Sequence, residues 1–222
     1  MKYKAVVFDL DGTLLDTLKD LNSSCNYALS LYGYDTITLD ETKKFIGNGI
    51  KKLVERSLKG KNERLEEVFT SFKEYYSNNF ASYTHVYSGI YELLDFLKSK
   101  AYDLAILTNK DQKITDSLVN KFFPNTFKLV VGDNPNIKKK PSLDGLDYIC
   151  NYLNIKYENV IFIGDSRVDL QTTKNADCMG IFVEYGFEEP LILKSLGAKY
   201  YVKKAIDIID IIGGLKWVLK HC

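Results

Sequence analysis

The chain is poor in the residues from which zinc and disulfide sites are built. Two histidines, His85 and His221, and four cysteines, Cys25, Cys150, Cys178 and Cys222, are scattered over 222 residues without a Cys-x-x-Cys pair. That spacing argues against a zinc site, and the cysteines read as small, mostly buried thiols of a reducing compartment. Charge of one sign is equally lacking. The 30 Lys and Arg offset 29 Asp and Glu, and a formal net charge of +1 leaves no global footprint for nucleic acid or an anionic membrane. No apolar run approaches a membrane span, and residues 1–4 lead into a short strand without the apolar stretch of a signal peptide. A cytoplasmic protein is expected. A Gly-x-x-x-x-Gly-Lys-Ser/Thr loop is also missing, which excludes nucleotide hydrolysis by a P-loop mechanism.

What is present is the composition of an ordinary globular chain, 45% hydrophobic and long enough for one domain carrying a smaller insertion. Short apolar runs at residues 4–8, 103–107, 129–131, 159–163, 180–183 and 199–202 read as strands. Segments of helical spacing lie between them, such as Ile90, Leu93, Leu94 and Leu97, so the fold class is α/β, a doubly wound parallel sheet. Residues 17–85 break this alternation with helical periodicities alone: Leu21, Cys25, Ala28, Leu29 and Tyr32; Ile50, Leu53, Val54 and Leu58; Leu65, Val68, Phe69, Phe72 and Tyr76. One apolar stripe per helix suits a small inserted bundle. The expected organisation is a core of residues 1–16 and 86–222 with a helical cap over 17–85. The last segment, 205–220, has helical spacing with a bend or break expected at Gly213-Gly214, and Trp217 reads as core packing.

Asp9 and Asp11 follow the run Ala5-Val6-Val7-Phe8 directly, with Gly12 beside them. An unpaired charge is expensive to bury, so two carboxylates at a strand end call for a metal ion or basic side chains. The glycine lets the chain turn sharply out of the sheet, and the carboxyl end of a strand in an open α/β sheet faces a crevice. A turn or helix-cap pair is the plainer alternative. Ala105-Ile106-Leu107 similarly leads into Thr108-Asn109-Lys110, where a small hydroxyl suits an anion or a helix N-cap. In Lys138-Lys139-Lys140-Pro141 the proline directs Lys140 towards extended backbone, while Lys138 and Lys139 read as surface residues. Finally, Val160-Ile161-Phe162-Ile163 ends at Gly164-Asp165-Ser166, with Asp169 four residues past Asp165. Carboxylates so placed suit magnesium, which takes oxygen ligands; Ser166 equally suits a helix cap, and Arg167 looks peripheral.

In this order, Asp9-Leu10-Asp11-Gly12-Thr13, Thr108, Lys140-Pro141 and Gly164-Asp165-Ser166-x-x-Asp169 resemble the haloacid dehalogenase-like phosphatases over nearly the whole chain. Asp16-Thr17 and the Gly47-Asn48-Gly49 turn resemble the phosphoglycolate phosphatase-like members of that superfamily. The resemblance implies a Rossmann-like core with a helical cap, and magnesium-dependent hydrolysis of a small phosphate monoester through an aspartyl-phosphate, with 2-phosphoglycolate the leading candidate. It implies Asp9 as nucleophile, Asp11 as general acid and base, and Thr108, Asn109 and Lys140 as phosphate-binding. Magnesium would be held by Asp9, Asp11 through its backbone carbonyl, and Asp165. Asp169 would hold a metal-bound water or orient Lys140, with Ser166 supporting. Gly47, Asn48 and Gly49 are a possible substrate-specificity loop, a plain flexible turn being the favoured reading; Lys51, Lys52 and Arg56 carry no assigned role. Thr17 and residues near His85 are candidate hinges.

The implied partner is a small phosphoester, with no nucleic acid and no membrane, and the chain acts as a monomer or homodimer. Inorganic pyrophosphatase, a β-phosphoglucomutase-type phosphotransferase and a non-catalytic phosphate-binding regulatory protein are the alternatives. Thr13 fits the phosphatases better than the mutases, Asp11 disfavours dehalogenation, and the intact acid and lysine set argues against a protein without turnover.

Overall fold

The computed structural model describes residues 2–220, with side chains described as far as residue 214. It forms two compact units, one of residues up to Leu14 together with those from Val86 on, the other Leu15–His85. β1 (Ala5–Phe8) opens the first unit and is buried at every position. The chain then enters the second unit through β2 (Leu15–Asp16) and runs through α1 (Leu18–Leu31), α2 (Leu39–Phe45), α3 (Ile50–Ser57) and α4 (Leu65–Asn79) to β3 (His85–Val86). β2 and β3 pair in a small sheet of their own. Two-residue strands leave no periodic signal, so the purely helical expectation over 17–85 misses the strand that begins at His85.

α1, α3 and α4 bury most of the stripe their spacing announces, with Tyr32, Ile50, Leu65 and Phe69 half-buried at its margin. Leu21, Cys25, Ala28 and Leu29 of α1 and Val68, Phe72 and Tyr76 of α4 are buried, and these two helices pack along each other. α2 starts with a capping box in which Thr38 accepts from the Glu41 amide and Glu41 accepts from the Thr38 amide. Asp20 is a polar exception on the buried side of α1. Its carboxylate accepts from the Tyr83 amide at 3.0 Å, the Thr84 amide at 2.8 Å and the Thr84 hydroxyl at 2.6 Å, fastening the first turn of α1 to the segment that precedes β3.

From there the first unit alternates regularly: α5 (Ile90–Ser99), β4 (Asp103–Asp111), α6 (Gln112–Phe122), β5 (Leu129–Asp133), α7 (Asp144–Leu153), β6 (Val160–Gly164), α8 (Arg167–Ala176), β7 (Met179–Val183), α9 (Pro190–Ser195), β8 (Tyr200–Val202) and α10 (Ile208–Lys220). Six parallel strands lie in the order β5-β4-β1-β6-β7-β8. Flanking helices explain why central strands such as Ala5–Phe8 and Val160–Gly164 are buried throughout instead of at alternate positions. The chain builds outward from β1 on one side through β4 and β5, then on the other through β6, β7 and β8. β1 is therefore the switch point, where the crevice of such a sheet opens. Register completes the placement: Phe8 lies level with Ile106 and Ile163, so Asp9, Thr108 and Asp165 come to the same edge of the sheet.

Two expectations change. β4 continues past Leu107 to Asp111 with a register shift on the way, and α6 is capped by Asp111, whose carboxylate accepts from the Lys113 and Ile114 amides. Thr108 is thus not a helix cap. α10 runs without a break through Gly213-Gly214. Each glycine costs a helix about 1 kcal/mol against alanine, too little to end one whose Ile208 and Ile212 are buried. The side chain of Trp217 lies outside the described residues, as do His221 and Cys222. Cys25 and Cys150 are buried free thiols, and Cys178 is half-buried. Among the described residues no helix is long and apolar enough to cross a membrane.

Truncating the buried carboxylate in Asp20→Ala strands the Tyr83 and Thr84 amides, each costing about 1–3 kcal/mol when unsatisfied, while the Thr84 hydroxyl keeps the Phe80 carbonyl as acceptor. The expected loss is about 2–4 kcal/mol in total, because water reaches part of the opened site. Urea unfolding followed by circular dichroism measures it, and a change under about 0.5 kcal/mol would refute the clamp.

Candidate active site

The carboxyl ends of β1, β4, β5 and β6 each contribute to one cluster. Asp9 continues the pairing of β1, its amide donating to the Ile163 carbonyl at 2.9 Å, and its side chain is turned into the protein. The Lys140 ammonium lies 2.9 Å from Asp9 Oδ1 and 2.6 Å from Asp169 Oδ1. Asn109 braces that lysine: its Oδ1 accepts from the Lys140 amide at 2.8 Å, and its Nδ2 donates to the Lys140 carbonyl at 3.1 Å. The Asn109 amide therefore supports Lys140 at the backbone. Lys138 and Lys139 are exposed, and Lys139 pairs with Asp133.

Asp169 stands in the first turn of α8 and is completely enclosed. Its Oδ2 accepts from the Ser166 hydroxyl at 2.6 Å and the Ser166 amide at 3.0 Å, while Ser166 Oγ accepts from the Asp169 amide. Ser166 is thus the N-cap of α8, and the capping box itself holds Asp169 against Lys140. Both readings of Ser166, cap and supporting residue, describe the same contacts.

Asp165 is held from two directions. Thr13 Oγ1 donates to its Oδ1 at 2.9 Å, and the Phe187 amide to its Oδ2 at 2.7 Å. Two glycines make room for it: a Cβ on Gly12 would fall 2.3 Å from Asp165 Oδ2, and one on Gly186 would fall 2.2 Å from Asp165 Cβ. Gly12 also has φ +81°, a left-handed turn that side chains resist. The loop after β7 completes the wall, with the Tyr185 hydroxyl donating to the Thr13 carbonyl at 3.0 Å and its ring against Tyr87. Arg167 makes a two-pronged pair with Glu188 of that loop. Sequence reasoning misses Tyr185, Gly186 and Phe187; a glycine between two aromatics at a strand end is the only local sign.

Asp11 faces a second buried lysine. Lys110 Nζ lies 3.0 and 3.1 Å from its two oxygens. The buried Thr108 hydroxyl accepts from the Lys110 amide at 3.4 Å. Sequence reasoning gives Lys110 no role either, because a lysine past a strand end is ordinarily exposed.

The electrostatics of the cluster favour a cation. Burial pushes the Asp9 carboxyl up to about 6 in spite of Lys140, with Asp169 and Asp11 adding to the rise. Burial also raises Asp165 well above the usual carboxylate range, helped by the charges of Asp9 and Asp169. Burial alone pulls Lys140 down, yet Asp169 and Asp9 more than reverse this and keep it protonated. Oxygens of Asp9, Asp165 and Asp169 lie within 4.8 Å of one another. Of these, Asp9 Oδ1 is buried and accepts no hydrogen bond, the Lys140 ammonium being close but not aligned to donate. Asp169 has both oxygens engaged. A hard divalent cation therefore fits Asp9 and Asp165, with Asp169 fixing the lysine.

Gly47, Asn48 and Gly49 belong to the second unit, before α3. Gly47 and Gly49 adopt φ +114° and +86°. Arg56 steadies this turn, donating to the Phe45 carbonyl and to Asn48 Oδ1, each at 2.7 Å. Lys51 pairs with Glu66 and Lys52 with Glu55 on the surface.

In Gly186→Ala the new methyl must displace Asp165. Overpacking of this kind costs about 1–3 kcal/mol. A denaturant midpoint equal to that of the unchanged protein would show that the loop yields freely.

The residues that meet at this edge come from β1, β4 and β6 and from the segment after β5. The family model described as haloacid dehalogenase-like hydrolase matches residues 6–183. The phosphoglycolate phosphatase of Neisseria meningitidis is 32% identical over 197 residues, covering 86% of this chain and 84% of that protein. That of Chromobacterium violaceum is 30% identical, with 94% and 96% covered. A crystal structure from Lactobacillus delbrueckii subsp. bulgaricus shares the fold at TM-score 0.90 and 31% identity, over 96% of this chain and 99% of its own. With the fold and the sequence in agreement, the chain belongs to the haloacid dehalogenase-like hydrolases.

Proposed function

We propose that this phosphatase hydrolyses a small phosphate monoester with the aid of magnesium, through phosphorylated Asp9, and that 2-phosphoglycolate is the leading candidate substrate. The observation that carries the reading is Asp9 Oδ1, a buried carboxylate oxygen free of hydrogen bonds beside a buried ammonium at the switch point of the sheet. The relatives of 30–32% identity that carry the name phosphoglycolate phosphatase support the substrate.

A carboxylate attacks a phosphate dianion poorly because both are negative. Asp9, the Asp11 backbone carbonyl and Asp165 would hold magnesium, which when bound would supply charge that offsets this repulsion. Lys140 and the Thr108 hydroxyl receive the phosphoryl oxygens, with Asn109 keeping the lysine in register. An Asp9 oxygen bonds to phosphorus as the ester P–O bond breaks, and the departing oxygen takes its proton from Asp11. Water then attacks the phosphorus of the acyl phosphate, gives its proton to Asp11, and the Asp9 carboxylate is released together with inorganic phosphate. We assign substrate selection to the second unit as a cap, with Gly47, Asn48 and Gly49 as its specificity loop. The free thiols of Cys25 and Cys150 accord with the cytoplasmic location we assign.

Phosphate release from 2-phosphoglycolate, pyrophosphate, glucose 1-phosphate and p-nitrophenyl phosphate tests the reading. A dominant rate on 2-phosphoglycolate is expected, lost by at least about 10³-fold in Asp9→Asn. Magnesium should also stabilise the fold in a pH-dependent way. The raised Asp9 pKa means that the metal-free protein loses stability as pH climbs from about 4, the unfolded value, through about 6. A cation relieves this only where Asp9 is ionised. The rise in Tm on adding magnesium should be larger at pH 7.5 than at pH 5, and an equal rise at both would contradict the site.

A further inference from the structure

Lys110 is the buried charge that the mechanism above leaves without a task. Its side chain is 1% exposed, and its ammonium sits side-on to Asp11, within 3.1 Å of both oxygens. An ammonium so far from water is stable only while its partner stays in place. Contact with both oxygens also fixes the carboxylate plane, because rotation breaks one of two charge-assisted contacts. A carboxylate oxygen accepts at two positions, so pairing with a lysine does not of itself stop Asp11 from exchanging a proton with substrate.

The backbone fixes the lysine in turn. β4 shifts register between Leu107 and Asp111, the Lys110 amide donates to Thr108 Oγ1, and its carbonyl accepts from Thr115 Oγ1 at 3.4 Å. Gly132 lets the neighbouring strand come close, since a Cβ there would lie 2.8 Å from the Lys110 carbonyl oxygen. The bulged strand end is thus built around this residue, and its side chain is turned inward.

We propose that Lys110 is a positioning residue, holding the Asp11 carboxyl in the orientation from which it protonates the leaving oxygen. This rests on the assignment of Asp11 as general acid made above. The proton moves from Asp11 to the ester oxygen as the P–O bond breaks and the bond from Asp9 to phosphorus forms. Lys110 itself neither gives nor takes a proton.

Leaving groups separate this role from others. p-Nitrophenolate departs without a proton, whereas an alkoxide needs one. Single-turnover release from p-nitrophenyl phosphate and from the best alkyl phosphate of the panel is measured for the wild type, Lys110→Met and Lys110→Arg. Lys110→Met should slow the alkyl ester about 10- to 100-fold, part of the roughly 10²–10⁴ that general acid catalysis supplies. Release of p-nitrophenolate and both KM values should change by less than about threefold, with Lys110→Arg recovering part of the alkyl rate. Equal slowing of both esters would reduce Lys110 to a structural role and overturn the proposal. A raised KM at unchanged rate would make it a substrate ligand and would overturn the proposal as well. If Lys110→Met fails to fold, Lys110→Gln carries the comparison. Asp9→Asn, run in parallel, separates the levels of failure: p-nitrophenolate release that survives it, or is missing in the wild type, would overturn the catalytic reading and this proposal with it.

Discussion

Four carboxylates and two ammonium groups crowd the carboxyl end of β1, and the balance of their charges governs the site. Asp9, Asp165 and Asp169 are buried, Asp11 is nearly so, and Lys110 and Lys140 are enclosed beside them. The two lysines neutralise two of the four acids. Two negative charges remain, the number a divalent cation brings, and Asp9 and Asp165 shift upward through burial first and the neighbouring carboxylates second. With that charge supplied, the pocket is neutral before a phosphate dianion approaches.

Nothing in any single segment holds these groups together; the sheet does. A parallel order with β1 inside the sheet places β4 and β6 on its two sides, and matched register at Phe8, Ile106 and Ile163 brings the polar residues that follow them to one edge. Local devices then orient each side chain. The capping box of α8 holds Asp169, the Asn109 amide holds Lys140, and Gly12 and Gly186 admit Asp165 between two chain segments. The apolar runs that form the strands are therefore also what aim the polar residues following them.

Those runs are why so much is legible in the sequence. Asp9, Asp165 and Lys140 each stand at the end of, or shortly beyond, a β-branched or apolar stretch, so position along the chain foretells position in the fold. The misses are residues whose role comes from tertiary contact alone. Lys110 looks like a solvated lysine until the bulge in β4 turns it inward, and Phe187 contributes through its backbone amide, which leaves no trace in residue type. Asn109 reads, beside Thr108, as a phosphate ligand, and the brace its amide gives to Lys140, 31 residues away, leaves no sign in the sequence. The capping of α6 goes to Asp111 because strand pairing outlasts the apolar run.

The two buried lysines are anchored differently, and the difference follows from what happens to their partners during turnover. In the proposed mechanism Asp9 changes from a carboxylate to an acyl phosphate and back. A lysine paired with Asp9 alone would lose its counter-charge at the moment it must steady the transferred group. Lys140 avoids this because Asp169 lies 2.6 Å away, takes no part in bond changes and is itself locked by Ser166. Sharing one ammonium between a reacting and a fixed carboxylate keeps it charged and stationary throughout. Lys110, placed against the proton-exchanging Asp11, sits instead beside a group whose orientation matters more than its bonding to phosphorus. The two pairs divide the work: one keeps a charge in place, the other keeps a carboxyl aligned.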